Sequence, residues 1–222
     1  MGRIDTPSRQ RVLLLFAWVL MSAPLQLGAP FTVDWLRYDR ARIQSGELWR
    51  LLSAHLIHLG WGHWALNTGG LALVFALYGR QLSPAACCGW ALISALSIGL
   101  GLLLYSPSVL WYVGLSGVLY GLLAAGAITD LSRHPAVSIA VLALLTVKLV
   151  WEQLWGPLSG AASLVGGAVV VDAHLYGTVG GLVAALLWPV VAAHLVVARR
   201  LGSRSARPQV QPESEQKQGR PP

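Results

Sequence analysis

The stretch Gly114-Leu115-Ser116-Gly117-Val118-Leu119-Tyr120-Gly121 places a serine between glycines at the start of a long apolar segment. Composition indicates the setting of this serine: 55% of the residues are hydrophobic and 11% are charged, with a mean hydropathy of +0.59. Ordinary soluble domains carry about 25% charged residues. The sequence therefore predicts a polytopic membrane protein, in which polar residues inside apolar segments tend to mark function.

Stretches without Asp, Glu, Lys or Arg predict the number of membrane spans, because one span needs roughly 20 mostly apolar residues. Such stretches cover residues 12–33, 51–79, 81–129 and 173–198. The third has 49 residues, enough for two spans with a turn after Tyr105. A further apolar segment, 135–155, is interrupted by Lys148 and Glu152. The predicted fold class is an all-α membrane protein, a bundle of six transmembrane helices.

Basic residues predict the orientation of the bundle, because cytoplasmic flanks are enriched in Lys and Arg. Eleven of the sixteen lie in the N-terminus, in the turns at Arg80 and Arg133, and in the C-terminal tail. Both termini are therefore expected in the cytoplasm. The first outer loop fits this arrangement less well, because it also carries basic residues: Arg37, Arg40, Arg42 and Arg50.

The expected organisation has three parts. Residues 1–11 form a cytoplasmic N-terminus, residues 12–198 the six-helix membrane domain, and residues 199–222 a basic tail whose polar composition predicts disorder. The first apolar segment also resembles a secretory signal peptide. We expect a retained helix, with a break near Pro24 possible, because cleavage would leave five spans and move the N-terminus outside.

Topology brings four polar residues to one depth. With the N-terminus inside, the second, fourth and sixth spans all begin at the outer face. Ser116 lies at the start of the fourth span, His174 at the start of the sixth, and His63 and Asn67 in the outer half of the second. Three helices distant in sequence are therefore expected to deliver a hydroxyl, two imidazoles and an amide to one layer.

Two small-residue patterns suggest how the fourth and sixth spans meet. Gly117 and Gly121 form one GxxxG pattern, and Gly177 and Gly181 form another. Such patterns allow helix backbones to approach closely in lipid. The second pattern lies on nearly the same face as His174, so packing of the two would bring the imidazole against Ser116. A chain with 24 glycines can also show such patterns by chance.

These residue types suit acyl transfer. His174 is the candidate base for a Ser116 nucleophile, since a neutral imidazole can accept the serine proton. No acidic residue is clearly placed to orient His174, and Asp172 points elsewhere on a helix, so a Ser-His pair is expected rather than a triad. Tyr120 shares the Ser116 face and could stack on the imidazole.

His63 and Asn67 are four residues apart, so both side chains can point toward the Ser116 hydroxyl. Donors in that position suit an oxyanion site. Considered alone, Asn67 is better explained as an ordinary polar contact between helices. Together with Ser116 and His174, the functional interpretation is favoured.

The same residues carry a resemblance to the rhomboid intramembrane serine proteases, over about residues 12–198. It rests on Glu47-Leu48-Trp49-Arg50, His58-x4-His63-x3-Asn67, Gly114-x-Ser116-Gly117 with Tyr120, and Ala173-His174-x2-Gly177-x3-Gly181. The resemblance implies that Ser116 is the nucleophile and His174 the general base. It also implies an oxyanion site made by the Ser116 backbone N–H, His63 and Asn67. The supporting positions would be Gly114, Gly117, Tyr120, Gly177 and Gly181.

Other histidines play no catalytic part in this resemblance. His58 matches a structural position of the family. His55, His134 and His194 match nothing functional and are expected at interfaces or in loops. Cys87 and Cys88 are expected to be structural, and no metal or other cofactor is predicted.

A narrower resemblance is to the bacterial rhombosortases, carried by the stretch 45–61, the run 114–127 and Lys148-x3-Glu152-Gln153. It implies transmembrane-anchored substrates, namely exported proteins with a C-terminal Gly-Gly motif, hydrophobic helix and basic cluster. It also implies a bacterial inner membrane location with the site opening toward the periplasm. Lys148 and Glu152, four residues apart, either neutralise each other or have a functional role.

Two other classes of function are weighed against the protease. A non-cleaving rhomboid relative that binds transmembrane clients would lack Ser116 or His174, and both are present. A proton-coupled transporter could use the histidines as a relay, but no intramembrane carboxylate is expected to accompany them and no inverted repeat is evident. The net charge of +7 is explained by topology and tail, so nucleic-acid binding is not expected.

Overall fold

The structure is a computed structural model that describes residues 6–79 and 83–205, with side chains described for residues 9, 12–79 and 83–189. The turn at Arg80, the tail beyond residue 205 and the side chain of His194 lie outside the described parts. The chain divides into two compact units, Met1–Leu187 and Trp188–Pro222. The packing described below belongs to the first unit.

Most of the described chain is helical. In order they are α1 (Thr6–Leu27), α2 (Phe31–Leu36), α3 (Arg40–Gln44), α4 (Arg50–Ser53), a 3₁₀ turn (Ala54–Leu56), α5 (Trp61–Tyr78), α6 (Pro84–Tyr105), α7 (Ser116–Asp130), α8 (Pro135–Trp155), α9 (Ala161–Val165) and α10 (Val171–Ser205). Two short strands, β1 (Tyr38–Asp39) and β2 (Trp111–Tyr112), pair antiparallel with Tyr38 opposite Tyr112. Helix α1 continues through Pro24 without a break.

Three of the described helical segments have the length and apolar composition of a membrane span: Pro84–Tyr105, Pro135–Trp155 and Val171–Pro189. Shorter apolar helices cover Val12–Leu27 and Ser116–Asp130. Of the three long segments, α8 is the least buried by protein: 17% of its most apolar stretch is buried, against 44% in the other two. Most of the α8 surface therefore remains available to lipid.

Helix α7 lies at the centre of this unit because its side chains are small. Ten of its fifteen residues are buried, and six of these ten are glycine or alanine. Helices α5, α6 and α8 all pack against it. At Gly126 a Cβ atom would collide with the Tyr78 ring of α5. The central position of α7 therefore depends on surfaces that lack side chains.

The ends of α6 are fixed by polar contacts. At the start, the Ser83 hydroxyl accepts a hydrogen bond from the Ala86 N–H at 3.1 Å, and Pro84 occupies the first helical position. At the end, the Arg40 guanidinium from the first loop donates to the carbonyls of Leu102, Leu103, Ser106 and Val109. A cation at a helix C-terminus satisfies carbonyls that have no partner within the helix.

Candidate active site

The loop that precedes α7 places Ser116 at the first residue of the helix. Gly114 has a φ of +123°, a conformation that side-chain-bearing residues rarely adopt. Its N–H donates to the Ala54 carbonyl at 2.9 Å, and its carbonyl accepts from the Tyr112 hydroxyl at 2.7 Å. The Ala54 carbonyl and the Tyr112 hydroxyl therefore hold this loop, residues 113–115 and here called the serine loop, in position. The backbone N–H of Ser116 stands at a helix N-terminus where no intrahelical acceptor exists.

Helix α10 carries His174 in its first turn and lies directly on α7. A Cβ atom at Gly177 would collide with the Gly117 carbonyl, and one at Gly181 would collide with the Gly121 carbonyl. In the other direction, a Cβ at Gly121 would lie 2.5 Å from the Gly177 carbonyl. The two GxxxG patterns thus face each other with main chain against main chain, as close packing of the two spans requires.

This packing brings Ser116 and His174 together. The Oγ atom of Ser116 lies 3.1 Å from Nε2 of His174, although the residues are 58 positions apart in sequence. The imidazole is stacked on the ring of Tyr120, with centroids 4.2 Å apart and an interplanar angle of 5°. The arrangement provides a hydroxyl, a base within hydrogen-bond distance and an aromatic surface that restricts rotation of the base.

The expectation that no carboxylate lies beside His174 is wrong. The carboxylate of Glu152, on α8, lies with Oε2 2.8 Å from Nδ1 of His174. Its other oxygen, Oε1, accepts from the Lys148 ammonium at 2.7 Å, and the Glu152 side chain is only 2% exposed. Asp172 does point elsewhere, since it accepts a hydrogen bond from the Ser106 hydroxyl. The expectation that no intramembrane carboxylate accompanies the histidines, which counted against a proton-coupled transporter, is therefore also wrong.

The signal for Glu152 was present in the sequence. An α8 that runs from the inner to the outer face places residue 152 near its outer end, in the layer where α7 and α10 begin. The i, i+4 spacing with Lys148 offers a local partner for the charge, so the sequence alone leaves mutual neutralisation and a functional role equally open. The carboxylate has two oxygens, however, and the second one reaches the site.

His63 and Asn67 face the glycine of the serine loop. A Cβ atom at Gly114 would lie 2.9 Å from Nε2 of His63 and 3.8 Å from Nδ2 of Asn67. The missing side chain therefore keeps open a space that both groups reach. Nδ1 of His63 accepts from the Leu59 N–H at 3.4 Å, so the neutral ring carries its proton on Nε2, toward this space.

Asn67 is buried, yet its amide nitrogen has no hydrogen-bond partner in the described part of the chain. Buried polar groups are nearly always hydrogen-bonded, so a buried donor without a partner is unusual and can indicate a functional role. Nε2 of His63 and Nδ2 of Asn67 both lie near Gly114, two residues before Ser116, and both residues line the same cavity as Ser116. Donors in this position could stabilise the negative charge that develops on a substrate carbonyl oxygen during acyl transfer.

Residues 45–189 of the chain match the Rhomboid domain family. The chain belongs to the rhomboid family. The family resemblance of its motifs is thereby confirmed. Rhomboids are generally serine proteases that act on membrane-embedded proteins within the bilayer, and together with the apolar helices the match makes this chain an integral membrane protein. A search of curated proteins finds no match to it.

The matched region of this rhomboid begins in the first loop, where Arg50 is fully buried. Its guanidinium contacts the Glu47 carboxylate at 2.6 Å and donates to the carbonyls of Asp34 and Arg37. Arg50 and Arg40 are thus both engaged by carbonyl groups. These two arginines have structural roles. Their contacts explain why the first outer loop carries basic residues although it is predicted to face away from the cytoplasm.

Two histidines outside the Ser116 group pack in the interior of the rhomboid fold. The expectation of an interfacial or loop position is wrong for His55: it is buried, with Nδ1 3.2 Å from the Gly114 carbonyl and Nε2 3.3 Å from the Ala95 carbonyl. The contact with the Gly114 carbonyl joins His55 to the serine loop. His58 is fully buried and packs edge-on against His63 and Trp18, in keeping with a structural role. His134 immediately precedes α8 and contacts the Asp130 carboxylate.

A cavity of about 490 Å³ opens onto the catalytic candidates of the rhomboid. Its polar lining consists mainly of His63, Asn67, Ser116, Tyr120, Lys148, Glu152 and His174. Apolar side chains such as Leu59, Leu66, Val113, Val165 and Val170 form much of the remaining wall.

No group of three potential metal ligands occurs among the described residues. Cys87 is buried and Cys88 is exposed.

Proposed function

We propose that this rhomboid is an intramembrane serine endopeptidase with Ser116 as the nucleophile and His174 as the general base. The observation that carries the proposal is the 3.1 Å separation between Ser116 Oγ and His174 Nε2, in a cavity large enough for an extended peptide segment. A hydroxyl becomes an effective nucleophile when an adjacent base can take its proton.

The proposed reaction uses each nearby group. Ser116 Oγ attacks the carbonyl carbon of a substrate peptide bond while its proton passes to His174 Nε2. The resulting oxyanion accepts hydrogen bonds from the Ser116 N–H, His63 and Asn67. Collapse breaks the C–N bond, and His174 returns the proton to the leaving amine. Water then hydrolyses the acyl-enzyme by the same sequence of steps.

Labelling with a fluorophosphonate tests the nucleophile directly, because this probe forms a covalent bond with an activated serine. The purified protein in detergent is expected to be labelled, and Ser116→Ala and His174→Ala are expected to abolish labelling. Ser159→Ala is the matched control, since Ser159 is an exposed serine outside the cavity. Labelling that persists in Ser116→Ala would refute the nucleophile assignment, and an unlabelled wild type would favour a client-binding rhomboid.

For the substrate, we propose the rhombosortase class: exported proteins whose C-terminal tail has a Gly-Gly motif, a hydrophobic helix and a basic cluster. The supporting features are the sequence stretches 45–61 and 114–127 and the Lys148/Glu152 pair. Co-expression with a reporter that carries such a tail should yield a processed reporter, and Ser116→Ala should leave it intact. A labelled enzyme beside an unprocessed reporter would leave a general rhomboid protease.

We propose six membrane spans with both termini in the cytoplasm of a bacterial inner membrane and the cavity open toward the periplasm. The distribution of basic residues supports this orientation. A reporter enzyme that is active only in the periplasm, fused after residue 222, is expected to be inactive. Activity of that fusion would reverse the proposed orientation.

A further inference from the structure

We infer that Glu152 is a positioning residue of the reaction, so that the site is a Ser116-His174-Glu152 triad. This inference rests on the proposed function and extends it to α8, the fourth helix of the site. Glu152 lies on α8, 22 residues before His174, and the two side chains meet in the buried region between α7, α8 and α10. Both are less than a tenth exposed.

The geometry determines which nitrogen of His174 carries the proton. A carboxylate can only accept a hydrogen bond, so the 2.8 Å contact with Glu152 Oε2 requires a proton on Nδ1. The neutral imidazole then presents the Nε2 lone pair to Ser116 Oγ at 3.1 Å. Glu152 therefore selects the tautomer that can accept the serine proton, and Tyr120 restricts the ring plane by stacking.

The same contact stabilises the charge that forms during the reaction. When the Ser116 proton moves to Nε2, His174 becomes an imidazolium with Nδ1–H still directed at Glu152. A carboxylate 2.8 Å away in a buried site favours that cation. Glu152 keeps its own negative charge throughout, and no proton passes to it.

Lys148 completes the charge balance. An unpaired carboxylate at 2% exposure would carry a large desolvation cost. The Lys148 ammonium, 2.7 Å from Oε1 and partly exposed toward the cavity, compensates for it. The two oxygens of Glu152 are thus divided between a permanent cation and the catalytic imidazole.

The simpler explanation is that Lys148 and Glu152 only neutralise each other along α8, as i, i+4 pairs do. That explanation accounts for Oε1. It does not require Oε2 to meet the catalytic candidate at hydrogen-bond distance. The two explanations make opposite predictions for a variant that removes both charges.

The test compares Glu152→Gln, Lys148→Met and the double variant Lys148→Met/Glu152→Gln by steady-state cleavage of a tailed reporter in detergent. Glu152→Gln is expected to lower kcat by about 10²–10⁴-fold, the range expected when the group that orients a catalytic histidine is lost. KM should change little, because substrate binding is not disturbed. Lys148→Met should retain more activity than Glu152→Gln.

The double variant decides between the explanations. If Glu152 positions His174, the double variant stays as inactive as Glu152→Gln, even though it contains no unpaired charge and its thermal midpoint recovers. If Glu152 serves only as a partner for Lys148, removing both charges restores kcat to the level of Lys148→Met. That restoration would overturn the inference, as would a Glu152→Gln defect confined to KM.

Failure of this inference is distinguishable from failure of the proposed function. A wild type that is labelled at Ser116 and cleaves the reporter, beside an equally active double variant, removes only Glu152 from the mechanism. A wild type that is not labelled at Ser116 removes the proposed function, and the triad with it.

Discussion

The Ser106 hydroxyl donates a hydrogen bond of 2.5 Å to the Asp172 carboxylate. This contact joins the residue after α6 to the first turn of α10, two positions before His174. The Tyr176 hydroxyl lies 3.0 Å from the same Ser106 hydroxyl, and the Ser106 carbonyl accepts from Arg40 at 2.7 Å. The end of α10 that carries the candidate base is thus attached to α6 and to the first loop.

Substitution of Arg40 should destabilise the fold. Arg40→Met leaves four carbonyl groups without this donor, and we expect a loss of roughly 2–4 kcal/mol in the free energy of unfolding. The control is Arg42→Met, because Arg42 forms a surface pair with Asp34 at side-chain exposures of 42% and 51%. Its cost should stay within about 1 kcal/mol. Denaturation in detergent micelles measures both, and equal stabilities would contradict a capping role for Arg40.

A side chain at Gly177 should separate α7 from α10. The Cβ of Gly177→Ala meets the Gly117 main chain, which cannot move aside as a flexible side chain could. We expect a destabilisation of roughly 1–3 kcal/mol and slower fluorophosphonate labelling. Gly177→Val should be worse on both measures.

Gly69→Ala serves as the control for this helix contact. Gly69 is exposed on α5, and a Cβ there meets no atom within 4 Å. Replacing a helical glycine by alanine in open space stabilises a helix by up to about 1 kcal/mol. If Gly177→Ala behaved like Gly69→Ala in stability and labelling, the close contact would have no importance for the site.

Asn67→Leu should separate activity from stability. Leucine has a similar size but no donor, so the oxyanion loses one partner and kcat for reporter cleavage should fall by about 10²–10³-fold. The free energy of unfolding should be unchanged or higher, because the Asn67 amide nitrogen has no partner in the described chain to lose. Full activity of Asn67→Leu would assign Asn67 to packing alone.

Two substitutions at Tyr120 test the stacking contact. The ring, 4.2 Å from the imidazole, is retained in Tyr120→Phe and lost in Tyr120→Leu. Labelling of Tyr120→Phe should stay within about threefold of wild type, whereas Tyr120→Leu should lose about tenfold, equivalent to 1.4 kcal/mol of positioning. Equal rates for the two variants would mean that the ring does not orient His174.

Much of the site could be predicted from sequence because its parts repeat helical and topological regularities. Alternate spans begin at the same face, which placed Ser116 and His174 in one layer, and the two GxxxG patterns indicated how their helices meet. The i, i+4 rule placed Tyr120 on the face of Ser116 and Asn67 on that of His63. Each of these regularities involves residues within one helix or equivalent ends of helices.

Other contacts depended on details that periodicity does not carry. Glu152 had an adequate local partner in Lys148, so its second oxygen remained unassigned. Arg40 finds its acceptors more than sixty residues away, at a helix end whose free carbonyls are not visible in the sequence. His55 lies in a 3₁₀ turn of three residues, which is too short for a repeat to predict which way a side chain points. Its contact with Gly114 joins residues 59 positions apart.

The direct contact of Gly117 with Gly177 has a consequence for how this rhomboid can change. Because peptide groups touch at that crossing, the spacing between the helix starts that carry Ser116 and His174 follows main-chain dimensions that are the same in every protein. Lipid-facing side chains have no part in this spacing, and the final approach of the two side chains is left to Tyr120 and Glu152. The outer surface of the bundle is therefore free to drift under mutation, or to be redesigned for another membrane, while the two helices keep their spacing.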